Sequence, residues 1–323
     1  MDTEFRNNLI EKLKKKNLTD SSIKLYIRNL EKLNNDLPLK NFKFLENTEN
    51  IIEKLKDYKA NTKRGYLISI VATLGCFKED NKKIAKTYKI YYDNMMNLAK
   101  EIKEKPTEEM NDAQKENWLS WDKVKEKFDE LKNKVDAFIN HKEINEHQYN
   151  TLLSYVVLAL YIYNPPRRNK DYQLMNLVKN YSDVLPTDIN YLSLDDNEFI
   201  FNVFKTSKKE GQVKIKFKED MKNVINQYLK FHPLVKGKKL AKTSNIPFLV
   251  YFDGKDFDKV NSITRILNKV FDKKIGSSML RHIFLTDKYG DTLKEQQKDS
   301  KAMGHSVEMQ KDYIKDDKDL KTK

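Results

Sequence analysis

Apolar residues recur at helical spacing through the first hundred positions, and no segment there alternates with the period of a strand. Phe5, Leu9, Ile10 and Leu13 mark one face. Ile23, Tyr26, Ile27, Leu30 and Leu33 mark the next, behind Thr19 or Asp20 as N-cap. A short helix carries Ile51, Ile52 and Leu55. Another begins near Thr62 and is apolar from Tyr66 through Phe77. The last runs over about 81–103, with Ile84, Tyr91, Met95, Leu98 and Ile102 on or near one face. Residues 104–116, EKPTEEMNDAQKE, are polar and contain Pro106, which suits a linker. The pattern predicts a helical domain over 1–103, a linker over 104–116 and a second domain over 117–323.

The second domain has a different rhythm. Trp118 and Trp121 lead into helices at about 121–139 and 145–162. The second is apolar almost all round and stops at Asn164-Pro165-Pro166, because a proline disfavours helix in the residue before it. Then NYLSL, EFIFNVF and QVKIKF alternate with strand period and predict a small antiparallel sheet. Gly211 closes the turn KTSKKEG between the last two. Helices follow at about 219–230, 257–273, 278–289 and 291–302. The fold class is mainly α with a small antiparallel β-sheet, and no internal repeat is evident.

Composition narrows the partners. Lys+Arg number 62 against 48 Asp+Glu, a net +14, which suits a polyanion. A lysine-rich coding bias accounts for the same excess equally well, since Asn and Ile are also abundant. Arginine is scarce, so arginines at motif positions carry more weight. A single cysteine, Cys76, excludes a disulfide framework and a Cys-based zinc site within one chain, and its apolar surroundings predict a buried small hydrophobe. The five histidines lack metal-ligand spacing. No apolar run reaches the ~20 residues of a membrane span. The start, MDTEFRNN, lacks a signal-peptide core, so the expected location is intracellular.

Metal-free cleavage of a phosphodiester needs a nucleophile, cations on the non-bridging oxygens, and a proton donor for the leaving oxygen. Arginine suits the clamp because its planar fork spans two oxygens and stays charged. Candidates stand in order along the second domain. Arg167 and Arg168 lie in NPPRRNKDY, with Asp171 following; Lys205, then Lys208, lie in the hairpin turn; Ser278 and Arg281 lie in SSMLRHIF; His305 and Tyr313 lie in MGHSVEMQKDY. Each has an ordinary alternative: a surface arginine pair, a solvated lysine, a helix-start arginine, a core tyrosine. Tyr289, within the preceding helix, suits the core, and His282 suits local packing or capping.

Together these segments resemble the catalytic boxes of tyrosine recombinases, the phage-type integrases. NPPRRNKDY resembles the first arginine box, with Arg167 favoured by the prolines and Arg168 by Asp171, Met175 and Leu177. KTSK resembles the lysine turn, SSMLRHIF the His-x-x-Arg-His box with Ser278 in place of its histidine, and MGHS…Tyr the final segment. The step from His305 to Tyr313 is one residue shorter than is usual in the family. LTDSSIKLYIRNLEKL resembles the helical core-binding domain that precedes such catalytic domains. The match is closest to viral and mobile-element members.

The resemblance implies a site-specific recombinase that closes as a clamp on duplex DNA. Tyr313 would form a 3′-phosphotyrosine link. Arg168 or Arg167, Arg281 and His305 would hold the phosphate, and Lys205 would protonate the leaving oxygen. Four copies would act on two DNA sites, each a monomer when free, with no metal or nucleotide cofactor. A type IB topoisomerase uses the same residue types, and a DNA-binding relative without catalysis is the remaining alternative.

Overall fold

The computed structural model describes residues 4–104, 110–236, 245–259 and 261–314. The chain divides into two compact units, residues 1–109 and 110–323. Part of the expected linker, residues 105–109, lies outside the described residues.

The first unit is helical: α1 (Glu4–Lys15), α2 (Asp20–Leu33), a 3-10 turn (Lys43–Leu45), α3 (Thr48–Lys54), α4 (Ala60–Leu74) and α5 (Lys82–Glu104). Of the two N-cap candidates for α2 it is Thr19 whose hydroxyl takes the Ser22 N–H, at 3.3 Å. The apolar stripes converge as their spacing requires, burying Leu9, Leu13, Ile23, Ile27, Leu30, Leu33, Ile70 and Leu74. Tyr91 is buried among them and its hydroxyl donates to the Leu45 carbonyl at 2.9 Å. Cys76 is half-buried rather than fully buried, with its thiol on the Ala72 carbonyl.

The second unit begins with α6 (Asp112–Asn117), a short helix within the stretch expected to be linker. α7 (Trp121–Asp136) and α8 (Glu146–Ile162) follow, then α9 (Asn169–Gln173), β1 (Asn176–Val178), β2 (Tyr191–Ser193), β3 (Glu198–Phe201), α10 (Ser207–Glu210), β4 (Val213–Lys216), α11 (Glu219–Phe231), β5 (Ile246–Pro247), α12 (Ser262–Phe271), α13 (Ser277–Met303) and α14 (Val307–Tyr313). α8 is the central helix. It buries side chains on every face because α7, α11 and α12 pack around it. Its Tyr149 hydroxyl bonds Tyr228 of α11 at 3.1 Å and the Val250 carbonyl at 3.1 Å, so a buried polar network pins three segments together.

The sheet corrects the expectation of three antiparallel strands. It has five strands in the order β4-β3-β2-β1-β5, and it is mixed: β1 and β2 are parallel while the other pairs are antiparallel. β1 and β5 hold only three and two residues, too few to show alternation in the sequence. The segments expected as two helices at 278–289 and 291–302 form the single 27-residue helix α13. The helix expected from 257 starts at Ser262, and the buried Phe257 precedes it as irregular chain.

His232, fully buried after α11, anchors the short edge strand. Its Nδ1 accepts the Leu234 N–H at 3.2 Å and its Nε2–H donates to the Pro247 carbonyl at 3.1 Å, so the ring is neutral. Burial pushes its pKa down from 6.5 to about 4. The unfolded chain takes up this proton first, so stability falls as pH drops from about 6.5 toward about 4 and levels off below. Urea melts at pH 7 and pH 4.5 should show the wild type losing up to about 3 kcal/mol more than His232→Gln. Equal losses in the two proteins would show that the ring does not titrate on unfolding.

Candidate functional site

α8 ends where Pro165 and Pro166 forbid another turn, and the two arginines follow at once. Their side chains go to different places. Arg167 turns inward: its Nε donates to Asp171 Oδ2 at 2.9 Å, and its guanidinium lies 3.9 Å from the ring centre of Phe201 and 5.0 Å from that of Phe204. Asp171 is 3% exposed. Burial pushes its carboxyl up, and the Arg167 charge and hydrogen bond, then Arg168, pull the other way. Arg168 is the extended N-cap residue of α9 and forms no ion pair among the described residues.

Arg168 and Arg281 are neighbours. Arg281 is the fifth residue of α13, half-buried, with Nε donating to the Ser277 carbonyl at 3.2 Å and Nη2 to Ser278 Oγ at 3.1 Å. Burial lowers its pKa from the usual guanidinium value and the Arg168 charge lowers it further, while Tyr161 and Asp171 oppose this weakly. The Arg168 charge is thus felt at Arg281, and no carboxylate is bonded to either guanidinium among the described residues. That arrangement favours an anion able to take a fork from each side.

Several side chains that sequence reasoning passed over hold this corner. Asn190 donates to the Asp171 and Val203 carbonyls at 2.9 Å each, and its Oδ1 accepts from Asn202 N and Val203 N at 2.8 and 2.7 Å. One buried amide thereby ties the arginine segment to the end of β3. Asn169 accepts from the Tyr161 hydroxyl and donates to Thr264 Oγ1, both at 2.8 Å, linking α8, α9 and α12. Gln173 donates to the Phe257 and Lys259 carbonyls at 2.6 and 2.7 Å. None of these has a motif, because a backbone-clipping amide is defined only by the groups that the fold brings to it.

Lys205 is exposed and directly follows Phe204, so the hairpin turn starts beside the Arg167 aromatic patch. Lys208 lies on α10, also exposed. Gly211 ends that turn at φ +71°, a conformation that favours glycine.

His305 and Tyr313 form a second group. Gly304 ends α13 at φ +75°, and the His305 N–H returns to the Ser300 carbonyl at 3.0 Å. Ser306 caps α14 by accepting the Met309 N–H. The His305 and Tyr313 rings lie 5.4 Å apart at 32°. The hydrogen bond from Ser300 Oγ to Gln310 Oε1 at 2.8 Å holds α14 to α13. Tyr313 is 65% exposed.

The two groups are not brought together. α13 is helical from Ser277 to Met303, so the 23 residues from Arg281 to Gly304 span about 35 Å. Tyr289, expected in the core, is 49% exposed on this helix, and His282 is exposed. Among the described residues no cluster of His, Cys, Asp or Glu is suited to a metal, and no helix is long and apolar enough to cross a membrane.

No protein-family model matches the chain, and no curated protein matches it. Among solved structures it is similar to the crystal structure of XerA recombinase, at 15% identity over 98% of this chain and 96% of that one, with a TM-score of 0.34. A score that low carries no argument about fold or activity.

The geometry separates the adjacent arginines by stability. Arg167→Ala leaves a buried carboxylate without its cation and should cost about 3 kcal/mol or more. Arg168→Ala removes no ion pair and should stay within about 0.5 kcal/mol of wild type. Urea denaturation of the two variants checks this, and equal losses would contradict the assignment.

Proposed function

We propose that the protein is a site-specific DNA recombinase or integrase that cleaves and rejoins duplex strands through a 3′-phosphotyrosine link. Two half-buried arginines, Arg168 and Arg281, each without a bonded carboxylate among the described residues and with the charge of one felt by the other, carry this reading. With Arg167 committed to Asp171, Arg168 is the arginine free to bind phosphate.

Tyr313 Oη, giving up its proton to solvent, attacks the scissile phosphorus and displaces the 5′-oxygen, which takes a proton from Lys205. Arg168, Arg281 and His305 hold the charge on the non-bridging oxygens. The covalent link conserves the bond energy, and a 5′-hydroxyl from another strand reverses the step. Lysines over both units contact phosphates and set register, while the +14 charge supplies affinity. Four copies on two duplex sites, each a monomer when free, belong to the same reading.

A type IB topoisomerase, which uses the same residue types, is disfavoured by the helical first unit, since small viral members of that class begin with a β-rich domain. A DNA-binding relative without catalysis is favoured by one observation: the Ser278 hydroxyl is engaged with Arg281 and supplies no imidazolium.

Nicked duplexes that trap the covalent stage test the proposal. Wild type should form an SDS-resistant adduct and Tyr313→Phe none, while Arg168→Ala and Arg281→Ala each slow the reaction by about 10²–10³. Lys205→Ala should be rescued by sulfur at the leaving position, because a thiolate departs without a proton. An adduct that persists in Tyr313→Phe, or no adduct from wild type on the cognate site, overturns the assignment.

A further inference from the structure

The first half of α8 departs from the apolar character of the rest of the helix. Apart from the tyrosines, Glu146 and the capping Gln148, its polar side chains stand at 147, 150, 151 and 154, the spacing of a single helical face. That face lines a groove of about 350 Å³ together with one face of α7 and the end of α12. α7 and α8 are held together by the Phe128 and Tyr155 rings, which stack with centres 5.0 Å apart. Thr151 and Ser154 are too short to fill the seam, and the groove stays open there.

The lining has a definite charge and hydrogen-bonding pattern. Lys127 and Lys134 come from α7 and Lys269 from α12, against a single carboxylate, Glu130, which Lys127 holds at 2.8 Å. That bond keeps the Glu130 carboxyl below its ordinary pKa, and the Lys127, Lys134 and Lys123 charges add to the effect. Lys134 and Lys269 have no ion pair among the described residues, so two cations are left over. The Thr151 and Ser154 hydroxyls donate to the His147 and Asn150 carbonyls at 3.0 and 2.7 Å, which leaves their oxygens as acceptors. The Asn150 amide has no partner among the described residues and offers both a donor and an acceptor. Leu131 and Val270 add apolar wall. A bare anion would use the lysines and none of the rest.

We propose that this groove binds a small phosphorylated molecule of nucleoside monophosphate size, its phosphate taken by Lys134 and Lys269 and its hydroxyl-bearing body by Asn150, Thr151 and Ser154. A volume of about 350 Å³ lies at the lower end of the range for ligand pockets, which suits such a molecule. The site does not depend on the recombinase reading and is separate from the arginine corner. Along α8, Ser154 is about 10 Å and His147 about 21 Å from Tyr161, whose hydroxyl reaches Asn169 beside Arg168.

Isothermal titration of the full chain with the 5′-ribonucleoside monophosphates, their nucleosides and inorganic phosphate tests this. At least one monophosphate should bind one to one with a Kd below about 1 mM, about ten-fold or more tighter than its nucleoside or inorganic phosphate. Lys134→Ala combined with Lys269→Ala should weaken that binding about ten-fold or more. Lys132→Ala combined with Lys142→Ala removes the same charge from exposed positions outside the groove and should leave it within about two-fold. Ser154→Leu fills the groove without changing charge and should abolish binding; should that variant unfold, the lysine pairs decide alone. No binding of any monophosphate at about 10 mM overturns the proposal. Equal weakening by the two lysine pairs does the same, and so does inorganic phosphate binding as tightly as any monophosphate. A short DNA duplex whose binding needs Lys134 and Lys269, with no monophosphate bound, would make the groove a duplex contact and likewise sink the idea.

Discussion

The corner of the second unit depends on a single buried carboxylate. Asp171 sits where an unpaired charge would be costly, and the fold answers with Arg167 at 2.9 Å. That guanidinium is itself fixed by the Phe201 ring of β3 and by Phe204 beyond it. The end of α8, the start of α9 and the edge of the hairpin thus become one rigid block. The chain is extended at Arg168, whose side chain takes no ion pair among the described residues although its charge is felt by Asp171.

Two adjacent arginines of identical chemistry could not be told apart from sequence, because what separates them is a ring from a strand thirty-odd residues away. The long helices were legible: α2, α5, α7, α8 and α11 follow apolar spacing to within a few residues. β1 and β5 were not, because their pairing is supplied by neighbours rather than by their own alternation. Asn190, Asn169 and Gln173 were invisible for a related reason, since each serves backbone groups distant in sequence. At Gly290 the sequence suggested a break and the helix runs on. A mid-helix glycine costs about 1 kcal/mol, which continuing backbone hydrogen bonds on both sides can outweigh.

Electrostatics gives the arginine corner its direction. Burial lowers the Arg281 pKa most and the nearby Arg168 charge lowers it further, and no carboxylate is bonded to either guanidinium among the described residues. A bound dianion or monoanion would convert that repulsion into attraction without moving the block. Ser278 fits this balance. Its hydroxyl accepts from Arg281 and orients the fork, whereas a protonated imidazole there would add a third positive charge. In the proposed reading, the serine would therefore weaken the corner's pull on phosphate and lower its self-repulsion when empty.

In the recombinase reading proposed above, keeping the nucleophile away from such a clamp has a chemical logic. A tyrosine poised permanently beside two guanidiniums would attack any phosphodiester that the +14 surface attracted, and non-specific duplex is always in excess. With Tyr313 exposed about 35 Å of helix away, phosphate binding and attack become separate events. Affinity can then be spread over many lysines without each encounter risking a strand break. In that reading, specificity is imposed at the second event, the attack, and not at phosphate binding.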